Sequence, residues 1–165
     1  MIMSCFGGTM DTLPARGTLS EEEPAAADVG RPPAEGWLAS IVDWSHDAIV
    51  SKDLNSTITT WNKAAERLFG YTAEEAVGSS VMMLIPDHLR GEEEDIIARI
   101  KAGTAVQTYE TVRRRKDGTL VEVSLTISPI RAANGRIIGA SKIARDISSA
   151  RESEKRIRVL MAEVS

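Results

Sequence analysis

The segment Thr57-Ile58-Thr59-Thr60-Trp61-Asn62-Lys63-Ala64-Ala65-Glu66-Arg67-Leu68-Phe69-Gly70-Tyr71 changes character at its centre. Its first five residues are β-branched or aromatic, the composition of a strand. Asn62 then offers a side-chain oxygen to the free amides of a following turn, Lys63 to Phe69 are compatible with a helix, and Gly70 can stop it. A second strand, Ala48-Ile49-Val50-Ser51, precedes this unit, with Asp53, Asn55 and Ser56 as turn material between the two. Further upstream, Trp37, Leu38, Ile41, Val42 and Ser45 recur at helical spacing.

Downstream, Thr72-Ala73-Glu74-Glu75 has capping-box spacing and Gly78 closes that turn. Pro86-Asp87 opens a longer helix running to about Ala102, with Ile96, Ile97 and Ile100 on its inner stripe and Gly103 at its end. Two strands, Tyr109 to Lys116 and Thr119 to Ile130, flank Asp117-Gly118, a dipeptide suited to a tight primed turn. In the second of these strands Val121, Val123, Leu125 and Ile127 alternate with Glu122, Ser124, Thr126 and Ser128, giving one buried and one wet face. Asn134-Gly135 makes the next turn, and Arg136 to Ile147 forms the last strand. The expected fold class is α+β: a five-stranded antiparallel sheet with short helices on one face.

Residues 1–36 hold four of the six prolines and the acid triplet Glu21-Glu22-Glu23, without helical or strand periodicity, and read as a flexible leader. The organisation is then leader 1–36, domain 37–149 and a helical linker 150–165. With 165 residues, 42% apolar and 27% charged, the chain matches one soluble domain. A net charge of -4 gives no attraction to nucleic acid or anionic lipid. The single cysteine, Cys5, permits no internal disulfide and no thiolate metal cage. No run approaches the ~20 apolar residues needed to span a bilayer, so the expectation is a cytoplasmic protein without a membrane segment.

Three segments carry a family resemblance. Asp47-Ala48-Ile49-Val50 followed by Ile58 to Tyr71 resembles the first half of a PAS domain. Arg115-Lys116-Asp117-Gly118-Thr119 is similar to its central hairpin, and Gly139 to Ser148 is similar to its last strand and exit motif. The resemblance covers about Trp37 to Ser149 and implies a sensory or association module. In the light-sensing LOV branch, the position of the reactive cysteine corresponds here to Val81, beside Ser80, so a photochemical flavin adduct is excluded. Haem-binding, oxygen-sensing PAS domains place a histidine on the long helix; alignment on Arg90 puts Glu93 there, and His88 lies more than a turn away. A carboxylate is a poor haem ligand, so no cofactor is expected.

Other clusters have plain readings. Glu92, Glu93, Glu94 and Asp95 occupy successive helical positions, point in different directions and suit a helix start, so they read as a solvated face. Arg113, Arg114, Arg115 and Lys116 read as solvated charges at a hairpin tip. His46 and His88 lack ligand partners, so no metal is expected, and no serine sits in a nucleophile-elbow context; no catalytic residue is assigned. Trp61, Met83, Ile97, Tyr109, Leu125 and Ile143 are candidates to line a small-molecule pocket, ordinary core packing being the alternative.

From Ile147 the apolar positions Ile147, Ala150, Ile157, Met161 and Val164 alternate three and four apart, with Glu154 in the missing slot, as in a coiled-coil seam. Leu160 to Ser165 resembles the residues just before the phosphoacceptor histidine in HWE-type and related sensor kinases. The resemblance implies the input domain of a dimeric histidine kinase whose phosphoacceptor and ATP site lie elsewhere. Arg145, Asp146 and Ile147 would couple the domain to the linker, and Trp37, Leu38, Ile41, Ile157, Met161 and Val164 would contact a second copy. The alternatives are a cofactor-free interaction module, or the input of a diguanylate cyclase or transcription regulator.

Overall fold

The structure, a computed structural model, describes residues 34–164. The leader read at 1–36 lies outside these except for Ala34 to Gly36, which begin helix α1 (Ala34–Asp43). Strands β1 (Ala48–Asp53) and β2 (Ile58–Trp61) follow, then α2 (Lys63–Phe69), α3 (Ala73–Ala76) and two short 3-10 turns at Val81–Leu84 and Asp87–Leu89. Helix α4 (Arg90–Lys101) leads into β3 (Val106–Arg114), β4 (Leu120–Arg131) and β5 (Ile137–Asp146). Helix α5 (Ser148–Glu163) closes the chain, starting two residues earlier than the linker read from sequence. The strands form one antiparallel sheet in the order β2-β1-β5-β4-β3, so the last strand is central.

The local signals act as their chemistry requires. Asn62 Oδ1 accepts from Ala65 N of the first turn of α2 and from Ile49 N, while its amide donates to Val42 O and Asp47 O. One buried side chain therefore ties α1, β1 and α2 together. Thr72 and Glu75 form the reciprocal capping box of α3. The long helix is not continuous from Pro86: the first turn is 3-10, and α4 starts at Arg90.

The loop at Asp117-Gly118 differs from the primed turn expected of it. Gly118 N donates to Arg115 O and Arg115 N to Thr119 O, with positive φ at Gly118 but not at Asp117. This is a turn with a glycine bulge, one residue longer than a primed hairpin. Gly135 repeats the arrangement between Ala132 and Arg136.

The core lies between the sheet and the helical layer. Trp61, Phe69, Val81, Leu84, Val123 and Leu125 build one part; Ile96, Ile100, Val106, Ile127 and Ala140 build the other. Trp61 and Phe69 rings sit 5.5 Å apart at 44°, and Trp61 Nε1 donates to Tyr71 O. Along β5 the inward positions are Ala140, Lys142 and Ala144, which pair with Lys52, Val50 and Ala48 of β1.

Candidate functional site

Two lysines face the interior. Lys52, near the end of β1, is 1% exposed, and Lys142, at the middle of β5, is 6% exposed. The strand neighbours of Lys142, Val50 and Ile127, are apolar, so its charge must be met from the helical layer. Helix α4 supplies the answer. Glu93, 3% exposed, accepts from Lys52 at Oε1 and from Lys142 at Oε2, the latter at 3.0 Å, and Ser56 Oγ donates to Oε1 at 2.6 Å. One carboxylate thus joins β1, the β1–β2 turn, α4 and β5.

A second, half-buried ion pair lies beside the first. Arg113 of β3, 3% exposed, donates to Glu92 Oε2 at 2.9 Å, to Val112 O at 2.8 Å and to Thr111 Oγ1 at 3.2 Å. Thr111 Oγ1 in turn donates to Glu92 Oε1. The solvated readings of Glu92, Glu93 and Arg113 are therefore corrected: the inner face of the first turn of α4 meets cations from three strands. Two of the three remaining basic residues also have partners in the domain, Arg115 Nε donating to Leu68 O and Lys116 Nζ to Glu75 Oε1.

Charge and burial oppose each other here. Burial alone would push the Glu93 carboxyl up, but Lys142 and Lys52, with the bonds from Lys52 and Ser56, outweigh it and hold it below its ordinary value. Burial lowers the Lys142 ammonium from 10.5 to about 7; Glu93 opposes this, while Lys52 and Arg113 add to it. One shared carboxylate cannot offset two ammonium groups in a dry interior.

Between the sheet and the helical layer, Lys142 and Arg113 line a cavity of about 20 Å³ whose other walls are Val50, Phe69, Val81, Leu84, Leu125 and Ala144. Of the pocket candidates read from the sequence, Leu125 alone lines it. Tyr109 instead lines an open outer groove of about 540 Å³ between α4 and the start of β3, with Glu92, Ile96, Arg99 and Val106. Trp61 is core, Met83 packs half-buried against the core, and Ile97 is half-buried and lines neither space. Ile143 is corrected outright: it lies on the outer face of β5, 41% exposed, because the register turns Lys142 and Ala144 inward.

The exit from the sheet is held by several contacts. Arg145 donates to both carboxylate oxygens of Asp47, at 3.2 and 3.0 Å. Asp146 Oδ1 accepts from Ser148 N at 2.9 Å, an Asx turn just ahead of α5, and Asp146 lies 3.9 Å from Arg115. Ile147 N donates to Glu122 O on β4, and Arg151 pairs with Glu110 on β3. Beyond this root, Ile157 and Met161 on α5 and Val164 just after it are exposed, as are Trp37, Leu38 and Ile41 on α1. Among the described residues, no helix is long and apolar enough to cross a membrane, and no three His, Cys, Asp or Glu side chains converge as a metal cage would require.

Comparison with known proteins agrees with this fold. A family model described as the PAS fold matches residues 38–147. The Sensor protein FixL of Bradyrhizobium diazoefficiens is 27% identical over 134 residues, 79% of this chain and 26% of that protein. The Signal transduction histidine-protein kinase AtoS of Escherichia coli is 29% identical over 117 residues, covering 71% and 19%. The Probable diguanylate cyclase DgcE of the same organism is 28% identical over 123 residues, covering 72% and 11%. Among solved structures, the PAS domain of a protein from Colwellia psychrerythraea superposes with a TM-score of 0.64 at 32% identity, over 71% of this chain and 99% of that one. The chain spans about a quarter or less of the length of these curated relatives.

Proposed function

This chain belongs to the PAS fold family, and we propose that it is the sensory input module of a dimeric sensor histidine kinase, relaying a change in its interior through β5 to α5. The observation that carries the reading is the content of β5. Lys142 reaches the buried Glu93, and four residues later Asp146 holds the amide of Ser148, the first residue of the helix that leaves the domain. A change in the charge or position of Lys142 strains the strand that sets the root of α5. The heptad spacing of Ile157, Met161 and Val164 then converts a shift of that root into a change of helix register between two copies. The likeness to AtoS supports a kinase as output; the likeness to DgcE supports a cyclase as the second reading, distinguished by the domain encoded after α5.

The same proposal leaves out haem and flavin photochemistry. Glu93, at the haem-ligand position, is engaged by two lysines, and the interior cavity of about 20 Å³ is far below the ~300 Å³ of even a small ligand pocket. Val81, at the position of the flavin-reactive cysteine, is core.

Fusing residues 1–165 in heptad register to a histidine kinase catalytic region tests the coupling. Asp146→Ala is expected to change basal autophosphorylation severalfold while altering domain stability by only about 1 kcal/mol, the usual worth of one hydrogen bond. Output identical to the unsubstituted fusion would refute the coupling role of β5 and its exit.

A further inference from the structure

The interior charges do not pair one to one. Lys52 and Lys142, both buried, share the single carboxylate of Glu93, while Arg113 takes the half-buried Glu92. Three cations thus meet two anions, and Lys142 carries the surplus. Lys52 and Ser56 both hold Glu93 Oε1, which leaves Oε2 to Lys142 at 3.0 Å. Lys142 also lines the same small cavity as Arg113, so it has a cation on either side, Lys52 across the carboxylate and Arg113 across the cavity. The charged and titratable groups around it are Lys52 from β1, Glu92 and Glu93 from α4, and Tyr109 and Arg113 from β3. Strand β4 and the Val81–Leu84 turn bring only Leu125, Val81 and Leu84 to that cavity.

An ammonium so placed is pulled two ways. Charged, it gives Glu93 a charge-assisted bond, roughly twice as strong as a neutral one, and ties β5 to α4. Having passed its proton to water, it leaves two balanced pairs, Lys52 with Glu93 and Arg113 with Glu92. We propose that Lys142 is a proton switch: charged, it clamps β5 to α4 through Glu93, and uncharged it slackens that clamp, so that the output of the domain follows pH. The proposal rests on the input-module reading above and names its stimulus. Position supports it. Lys142 lies at the middle of the central strand, paired with Val50 and Ile127, and Asp146 at the end of that strand holds the amide of Ser148 in α5. Burial first, then Lys52 and Arg113, bring the ammonium down to about 7 against the pull of Glu93, so both states are populated near neutrality.

The test has two readouts. Nuclear magnetic resonance of the lysine side chains of residues 1–165 follows the proton itself: one lysine should titrate with a midpoint of about 7 and be missing from Lys142→Met, which keeps two balanced pairs. The backbone amides of residues 148–150 should shift with the same midpoint and stay still in that variant. The second readout is the kinase fusion. With Lys142→Met it carries only the kinase's own pH dependence; relative to that, parent output should change severalfold between about pH 6 and 8. Lys52→Met frees Glu93 for Lys142 alone and should raise the midpoint of both readouts by about one pH unit or more, so the result does not depend on one variant folding. A titrating lysine without movement of residues 148–150, or no lysine titrating between about pH 6 and 8, would overturn the switch. So would a pH response that survives Lys142→Met, as one seated at His46, which shares a cleft with Asp146, would do. If output ignores pH but Asp146→Ala still alters the kinase fusion, the proton switch fails and the input module stands.

Discussion

Glu93→Gln keeps the side-chain volume and removes the one charge that Lys52 and Lys142 share. The size of the effect follows from the two lysines. Discharging an ordinary lysine at pH 7 costs about 1.4 kcal/mol for each unit below its pKa, so a buried lysine can cost the fold at most about 5 kcal/mol at that pH. Lys142 already titrates at about 7 with Glu93 in place, so most of its own penalty is present before the substitution. The new loss therefore falls on Lys52, whose one carboxylate partner among the described residues is Glu93. The expected loss is about 3–5 kcal/mol at pH 7, the range for breaking a buried ion pair. Urea unfolding followed by tryptophan fluorescence measures it.

The pH dependence gives a second reading of the same variant. A lysine whose folded pKa is lowered binds its proton more tightly when unfolded, so stability rises with pH from the folded pKa up to the unfolded one. In the parent chain Lys142 produces that rise above about pH 7. In Glu93→Gln both lysines contribute, so the gap between variant and parent should narrow by about 1.4 kcal/mol per unit between about pH 7 and 9. A loss under about 1 kcal/mol, or a gap that does not change with pH, would refute the charge cluster as described.

Two further substitutions probe how the site is held. Asn62→Ala removes the cap of α2 and leaves Ile49 N, Val42 O and Asp47 O without their side-chain partner, so a loss of about 3 kcal/mol is expected in the same unfolding assay. A loss near that of a simple exposed cap, under about 1 kcal/mol, would show that those groups find other partners. Gly139→Ala places a Cβ 2.2 Å from Lys52 O, backbone that cannot move aside, and should cost about 2–4 kcal/mol by forcing β1 and β5 apart. Because Lys52 and Lys142 lie on those strands, the substitution should also flatten the rise of stability above about pH 7; an unchanged profile would separate the strand contact from the ion cluster.

Much of the architecture was legible because its signals are local. Asn62 as the cap of α2, the Thr72–Glu75 box, Gly70, Gly118 and Gly135 each act there on residues within a few positions, and β4 announces its faces by strict alternation. Local chemistry also has limits: Asp117-Gly118 and Asn134-Gly135 marked the hairpins but not their length, because a glycine with positive φ serves a bulged loop as well as a primed turn. The family resemblance followed from the order of these local segments, and the matched span, residues 38–147, contains all of them but Ser148.

The charge cluster was not legible, and β5 shows why. Ile137, Ile138, Ile143 and Ile147 do not alternate, so the strand's apolar residues do not say which face is inner; pairing with β1 and β4 decides, placing Ile143 outward and Lys142 inward. Four acids in a row on α4 likewise look solvated until the rotation of that helix is known. The sequence by itself determined the elements, their caps and their order, since those depend on neighbours along the chain. Only the tertiary structure decided that Glu93 would lie between Lys52, 41 residues away, and Lys142, 49 residues away, because the burial of a charge depends on a partner that strand register and helix rotation bring to it.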